Sequence, residues 1–186
     1  QRRKTGRRRL RALAQRSEVV YVEPRFRNDS PPQDANASND VEDGRARISS
    51  DPYFNVAASR MEFIALLDNG VRKTHQLFND PRRIIKWEDC TGADNACDGA
   101  PNPDDVHNHG TSSAGILVGN NRLGGAFRGV TAFYLDSLKV YPASNSLDYA
   151  SVTLAFSRAA ARANKIVVAE IQGRFGSVAE RQSVVD

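Results

Sequence analysis

The sequence is poor in the residue types that would indicate a zinc module or a membrane protein. It has two cysteines and three histidines among 186 residues, and no apolar run reaches eighteen residues. Two cysteines are too few for a zinc site without histidines at ligand spacing. A helix that spans a bilayer needs about eighteen or more consecutive apolar residues. The sequence therefore predicts neither a cysteine-based zinc site nor a transmembrane helix.

Basic residues are concentrated at one end of the chain. Residues 1–27 contain ten Lys/Arg and two Glu, whereas the remaining residues contain sixteen Lys/Arg and twenty Asp/Glu. Such an arm could bind nucleic acid or an acidic membrane surface. Its arginines are not interleaved with the aromatic residues that single-strand binding requires. We therefore favour a solvated segment and expect neither nucleic acid nor a membrane among the partners.

The first candidate functional residue is an aspartate that closes an apolar segment. Residues 61–67 are almost continuously apolar, which predicts a strand covered on both faces in a parallel sheet, and Asp68 follows directly. Asn69 and Gly70 predict a turn after it. Because sites in open α/β sheets collect at the carboxyl ends of strands, Asp68 stands where such folds place their chemistry.

The second candidate is a histidine at the start of a predicted helix. His109 is followed by Gly110 and Thr111, which permit a tight entry, and then by the apolar side of the helix. An aspartate that accepts a hydrogen bond from histidine Nδ1 fixes the tautomer and leaves Nε2 for proton transfer. We therefore predict that Asp68 orients His109 as a general base. His107 is the less favoured alternative.

Strands and helices alternate along the rest of the chain. Apolar runs predict strands at 84–87, 133–140 and 166–171, and the spacing of apolar residues over 148–164 predicts an amphipathic helix. This alternation indicates the α/β class with a mostly parallel sheet.

The two candidate segments resemble the aspartate and histidine boxes of the subtilisin-like serine peptidases. The first box is Ile64–Val71 with Thr74 and His75, and the second is His109-Gly110-Thr111 with Ala114-Gly115. The similarity covers roughly residues 61–172, and the family order along the chain is aspartate, histidine, serine. The resemblance implies a mostly parallel sheet flanked by helices. It also implies serine endopeptidase activity on peptide or protein substrates, with Asp68 and His109 in a catalytic triad.

The nucleophile is the part of the triad that these residues do not supply. The resembling enzymes carry a Gly-Thr-Ser box and an oxyanion-hole asparagine later in the chain, and we expect both on a complementary segment or chain beyond residue 186. Gly110-Thr111-Ser112 imitates the serine box, but Ser112 stands one helical turn from His109 and is the weaker candidate. The sheet is therefore expected to be incomplete here. The alternative function is a peptidase-derived module that binds without cleaving.

The chain divides into three predicted parts. Residues 1–27 resemble the tail of the inhibitory propeptide of this family, which implies a zymogen, and an unrelated helix–strand extension is the alternative. Residues 28–55 are rich in Asn, Asp, Ser and Pro and predict a flexible linker. Residues 56–186 are predicted to be the N-terminal portion of a subtilisin-like catalytic domain.

The resemblance implies two binding segments as well. Gln172, Gly173 and Arg174 follow the last predicted strand, where this family pairs with an extended peptide substrate. Asn121 lies in residues 119–125, which resemble a loop that binds structural calcium in some subtilisins through backbone carbonyls and one asparagine side chain. We expect no cofactor for catalysis, and a turn without metal is slightly favoured over a calcium site at Asn121.

The remaining polar residues receive structural predictions. Cys90 and Cys97 predict a disulfide across a short loop, with two free thiols as the alternative, and a disulfide indicates a secreted or extracytoplasmic protein. His75 is predicted to cap or pack locally, and Glu170 to be a hydrogen-bonded structural carboxylate. The five aspartates at 89, 94, 98, 104 and 105 predict a solvated acidic loop.

Overall fold

Helices and mostly parallel strands form the described part of the protein. The computed structural model describes residues 27–29, 40–54, 63–79, 83–144 and 146–171. The strands are β1 Arg27–Asp29, β2 Phe63–Asp68, β3 Ile84–Asp89, β4 Tyr134–Lys139, β5 Ser146–Asp148 and β6 Ile166–Ala169. The helices are α1 Asp40–Ile48, α2 His109–Val118 and α3 Tyr149–Ala161. Short 3-10 turns lie at Asp51–Tyr53, Gln76–Phe78 and Gly125–Phe127.

The main sheet has the order β3-β4-β2-β6, and each neighbouring pair is parallel. Lys139 at the end of β4 is in register with both Asp68 of β2 and Asp89 of β3. The carboxyl ends of these three strands therefore lie at one edge of the sheet. The predicted mostly parallel sheet flanked by helices is confirmed.

β2 is buried on both faces, which explains its unbroken apolar sequence. Ala65 and Leu67 pack in one hydrophobic cluster with residues of α3, whereas Ile64 and Leu66 pack in a second cluster with residues of α2. Alternate side chains of a strand point to opposite faces, so one strand supplies both clusters. Leu66 is 1% exposed, and its truncation to alanine would cost about 2–5 kcal/mol.

The segment predicted to be a linker contains regular structure. Within residues 28–55, α1 and the following 3-10 turn occupy residues 40–53. The physical reason is a tertiary contact: Arg45 of α1 is buried and bonds to backbone carbonyls about eighty positions later. Composition reports the average polarity of a segment and does not report such a contact. The division of the chain into three parts stays a prediction.

Two further sequence predictions concern membranes and thiols. Within the described residues, no helix combines the length and apolar character needed to cross a bilayer.

Cys90 and Cys97 form a disulfide, as predicted, and both are buried. It joins the end of β3 to the loop that leads to α2.

Candidate active site

Asp68 is held at the carboxyl end of β2 by backbone groups on both sides. Its side chain is 1% exposed, and its Oδ1 accepts a hydrogen bond of 2.6 Å from the backbone N–H of Asn69. Its own carbonyl accepts from the N–H of Val140, which follows β4. Asp68 is thus the last residue of a central strand, with a fixed carboxylate at the sheet edge.

His109 begins α2 and faces that carboxylate. Its Nδ1 lies 2.9 Å from Oδ1 and 2.9 Å from Oδ2 of Asp68. The imidazole is 18% exposed, so solvent and a bound molecule can reach it. The hydrogen bond to Asp68 is the main cause that raises the pKa of His109, burial opposes it, and the charges of Asp68, Glu170 and Asp105 raise it further. The structure therefore brings together the two residues that the sequence predicted as a pair.

A close approach between α2 and the turn after β2 makes this geometry possible. The N–H of Gly110 donates to Oδ1 of Asn69 at 2.8 Å. A Cβ at position 110 would lie only 2.0 Å from the carbonyl oxygen of Gly70, and Gly70 itself has a φ of +100°. Glycine is required at both positions, for space at one and for backbone conformation at the other.

Asp105 organises the start of α2, and sequence reasoning missed it. It is 2% exposed. Its Oδ1 accepts from the N–H groups of His107 and Asn108, and its Oδ2 accepts from the N–H and hydroxyl of Thr111. The prediction of a solvated acidic loop is therefore wrong at Asp105. Asp105 stands three positions before the N-cap residue Asn108, so the usual capping signal of the sequence does not identify it.

Asp89 is the second aspartate of the acidic loop that is buried, at 1% exposure. It accepts from the N–H and hydroxyl of Thr91 and from the N–H of Asn102. The ammonium group of Lys139 lies 4.0 Å away and donates to the carbonyls of Asn102 and Asp104. Burial lowers the pKa of Lys139, and the nearby aspartates oppose that shift. These contacts fix the loop that ends in Asp105.

The other sequence-predicted residues have separate positions. His75 precedes the 3-10 turn and its Nδ1 accepts from the N–H of Leu77, which confirms local capping. Ser112 donates its hydroxyl to the carbonyl of Asn108, and within the described ranges no serine hydroxyl is hydrogen-bonded to His109. Asn121 is exposed in its turn. Its role as a metal ligand stays a prediction, and Gln172, Gly173 and Arg174 lie outside the described residues.

Glu170 lies close to the Asp68–His109 pair. It follows β6, and its N–H donates to the carbonyl of Leu67, which places it beside Asp68. No described residue hydrogen-bonds its carboxylate, so the predicted structural hydrogen bond is absent from this part of the chain. Its charge instead acts on His109, whose pKa it raises.

A short antiparallel pair of strands lies outside the main sheet. β5 stands between the end of β4 and the start of α3, and β1 pairs with it in the register Arg27 to Asp148 and Asp29 to Ser146. The extended segment around Asn28 therefore occupies the edge of β5. No pattern in the sequence predicts this pairing, because three-residue strands are too short to show one.

Comparisons with known proteins identify the family of the chain. The sequence model of the peptidase S8, subtilase family matches residues 59–169. No curated protein sequence matches the chain.

Several solved structures share the fold at low identity. MycP1 with its N-terminal propeptide removed has a TM-score of 0.55 at 19% identity over 77% of this chain and 43% of its own. A mutant of the epidermin leader peptide processing serine protease EpiP from Staphylococcus aureus has a TM-score of 0.52 at 18% identity, over 78% and 34%. A cold adapted subtilisin-like serine proteinase has a TM-score of 0.50 at 22% identity, over 85% and 48%.

This chain spans between about a third and a half of the length of those solved structures. At such identities they show the fold alone, whereas the family match extends over more than half of the chain and contains both Asp68 and His109. The chain belongs to the subtilase family of serine peptidases.

Proposed function

We propose that this chain is the N-terminal portion of a serine endopeptidase in which Asp68 and His109 are two members of the catalytic triad. The observation that carries the proposal is the pair of 2.9 Å contacts between Nδ1 of His109 and the carboxylate of Asp68. Because Nδ1 is hydrogen-bonded to a buried carboxylate, Nε2 is the nitrogen that can transfer a proton. The ring is partly exposed, so a bound substrate can contact it.

In the proposed mechanism His109 acts twice. Its Nε2 first takes the proton from a serine hydroxyl while the serine oxygen attacks the peptide carbonyl carbon, and Asp68 stabilises the imidazolium that forms. His109 then gives this proton to the leaving amine nitrogen as the C–N bond breaks. Water hydrolyses the acyl-enzyme by the same sequence of proton transfers. The serine and the oxyanion donors are proposed to come from a segment beyond residue 186.

Peptide substrates are proposed to bind in an extended conformation along β5. The antiparallel pairing of β1 with β5 supports this, since it shows that the β5 edge accepts an extended backbone. Main-chain hydrogen bonds of this kind give affinity with little dependence on sequence. We propose that Gln172, Gly173 and Arg174 pair with the other edge of the bound peptide. On this view residues 1–27 act as a propeptide, and the disulfide is consistent with a proposed extracytoplasmic location.

The test uses the longest natural polypeptide that contains these residues. Hydrolysis of an internally quenched peptide is measured for the wild type, for His109→Ala and for the matched control His107→Ala. We expect loss of turnover in H109A by at least about a thousandfold, and retention of most turnover in H107A. Undiminished hydrolysis by H109A would overturn the triad assignment. Peptide binding without any hydrolysis by the wild type would favour the non-catalytic module.

A further inference from the structure

Arg45 is a buried cation outside the Asp68–His109 pair. Its side chain is 4% exposed. Its guanidinium donates to the carbonyl oxygens of Gly125 at 2.9 Å and Ala126 at 3.3 Å, and also to that of Arg128. Its Nε donates to Oδ1 of Asp51 at 2.9 Å. Three backbone carbonyls and one carboxylate thus converge on a single side chain.

This oxygen set has the chemistry of a cation site. Carbonyl and carboxylate oxygens are the ligands that a hard cation such as calcium prefers. A guanidinium offers five N–H donors in one plane and can satisfy the same oxygens by hydrogen bonds. Asp51 supplies the counter-charge, and the hydrogen bond from Arg45 is the largest cause that lowers its pKa.

A second arginine strengthens the same contact. Arg128 donates to Oδ1 of Asp51 at 2.5 Å, and its guanidinium lies 4.1 Å from the ring centroid of Phe54. Asp51 and Phe54 follow α1, whereas Arg128 ends the 3-10 turn Gly125–Phe127. The segment 45–54 is therefore fastened to the turn 125–128 by several charged contacts.

Several oxygens of the turn that could bind calcium are already engaged in hydrogen bonds within the protein. The amide of Asn120 is engaged on both sides, since its Oδ1 accepts from the N–H of Arg122 and its Nδ2 donates to the carbonyl of Gln76. The carbonyl of Asn121 accepts from Gly124, and that of Gly125 accepts from Arg45.

We propose that the guanidinium of Arg45 is the internal cation of this turn and takes the place of a bound metal ion. It joins α1 to residues 125–128, so that the stability of the turn does not depend on calcium. The turn follows α2, the helix that begins with His109, and precedes β4. A covalently attached cation keeps this part of the domain ordered at any calcium concentration.

The test is thermal unfolding of the full chain, followed by circular dichroism in EDTA and in millimolar calcium chloride. We expect the wild type to have the same Tm in both buffers. Arg45→Gln is expected to lower the Tm by roughly 5–10 °C in both, because it removes the donors of three part-buried carbonyls and the charge partner of Asp51. Arg45→Lys should remain close to R45Q, since an ammonium group cannot serve three carbonyls and a carboxylate in one plane.

Arg47→Gln is the matched control, because Arg47 is an exposed arginine on the same helix. Its Tm should change by no more than about 1 °C. Equal effects of R45Q and R47Q would overturn the proposal. A saturable rise of the wild-type Tm with calcium, or stoichiometric calcium binding to the wild type by titration calorimetry, would also overturn it, and this result does not require any variant to fold.

Discussion

Both carboxylate oxygens of Asp68 lie 2.9 Å from Nδ1 of His109, although the two residues are 41 positions apart. A strand end and a helix start meet at this point. The N–H of Asn69 fixes the carboxylate, and the side chain of Asn69 holds the first turn of α2 through Gly110. Asn69 thus links Asp68 to the start of the helix that carries His109.

The first prediction concerns the pH dependence of hydrolysis by the complete peptidase. A general base must be neutral, so kcat/KM should rise as His109 loses its proton. Because the pKa of His109 is raised, chiefly by the hydrogen bond to Asp68, the midpoint of this rise should lie above about 6.5, the ordinary value for histidine. A kcat/KM profile with its acid midpoint below that value would contradict the prediction.

The raised pKa of His109 also makes the stability of the fold depend on pH. A group whose pKa is raised by folding stabilises the native state fully below its unfolded pKa, and this contribution is lost as the pH rises through the folded pKa. His109 should therefore stabilise the fold most at mildly acidic pH. Comparison of urea unfolding of the wild type and H109A across this range measures the difference.

Glu170→Gln is the second prediction. The charge of Glu170 raises the pKa of His109, so its removal should move the acid limb of kcat/KM to lower pH. Asp94→Asn removes an exposed charge from the loop before α2 and serves as the control, with an unchanged limb. An acid limb that moves to higher pH in E170Q, or that moves equally in both variants, would show that Glu170 does not act on His109.

The sequence predicted the centre of this site better than its surroundings. Asp68 and His109 lie in short-range local patterns: an apolar run precedes Asp68 and a turn follows it, and a glycine follows His109 at the helix entry. Asp105 was misjudged because the composition of the loop reports its average polarity and does not separate a buried aspartate bonded to nearby N–H groups and a hydroxyl from exposed ones. Arg45 was missed for a related reason: α1 depends on carbonyls eighty positions away. Long-range polar contacts of this kind follow from the fold and cannot be seen before it.

The third prediction concerns the disulfide. The double variant Cys90→Ser/Cys97→Ser should lose about 2–3 kcal/mol of unfolding free energy, since the two cysteines are only 7 positions apart and close a small ring. Urea unfolding with and without dithiothreitol measures this loss. The reductant should lower the midpoint of the wild type to that of the double variant and leave the variant unchanged. Two titratable thiols in the unreduced, natively purified protein would contradict the bridge.

The fourth prediction follows from the pairing of β1 with β5. A synthetic peptide of residues 22–31 should inhibit hydrolysis competitively, raising the apparent KM and leaving kcat unchanged, because its central residues pair with the β5 edge in the observed register. A peptide of the reversed sequence has the same composition and charge and is the control. Equal inhibition by both peptides would indicate charge alone, and no inhibition by either would remove β5 from the substrate site.

The last prediction concerns Gly110→Ala, in which the higher helix propensity of alanine competes with a steric clash of its Cβ. Alanine is favoured over glycine in a helix by about 1 kcal/mol. A Cβ at position 110, however, would lie 2.0 Å from the carbonyl oxygen of Gly70 and 3.1 Å from Cγ of Asp68, so the strand end and the helix start must separate. Overpacking of this kind costs about 1–3 kcal/mol, and displacement of a base by about 1 Å costs on the order of 100-fold in rate. We therefore expect G110A to lose both stability and kcat/KM. Gly99→Ala is the matched control, because a Cβ there would meet no atom within 4 Å. If G110A unfolds at the same urea concentration as G99A and hydrolyses peptide as fast, the close approach of α2 to Gly70 does not set the position of His109.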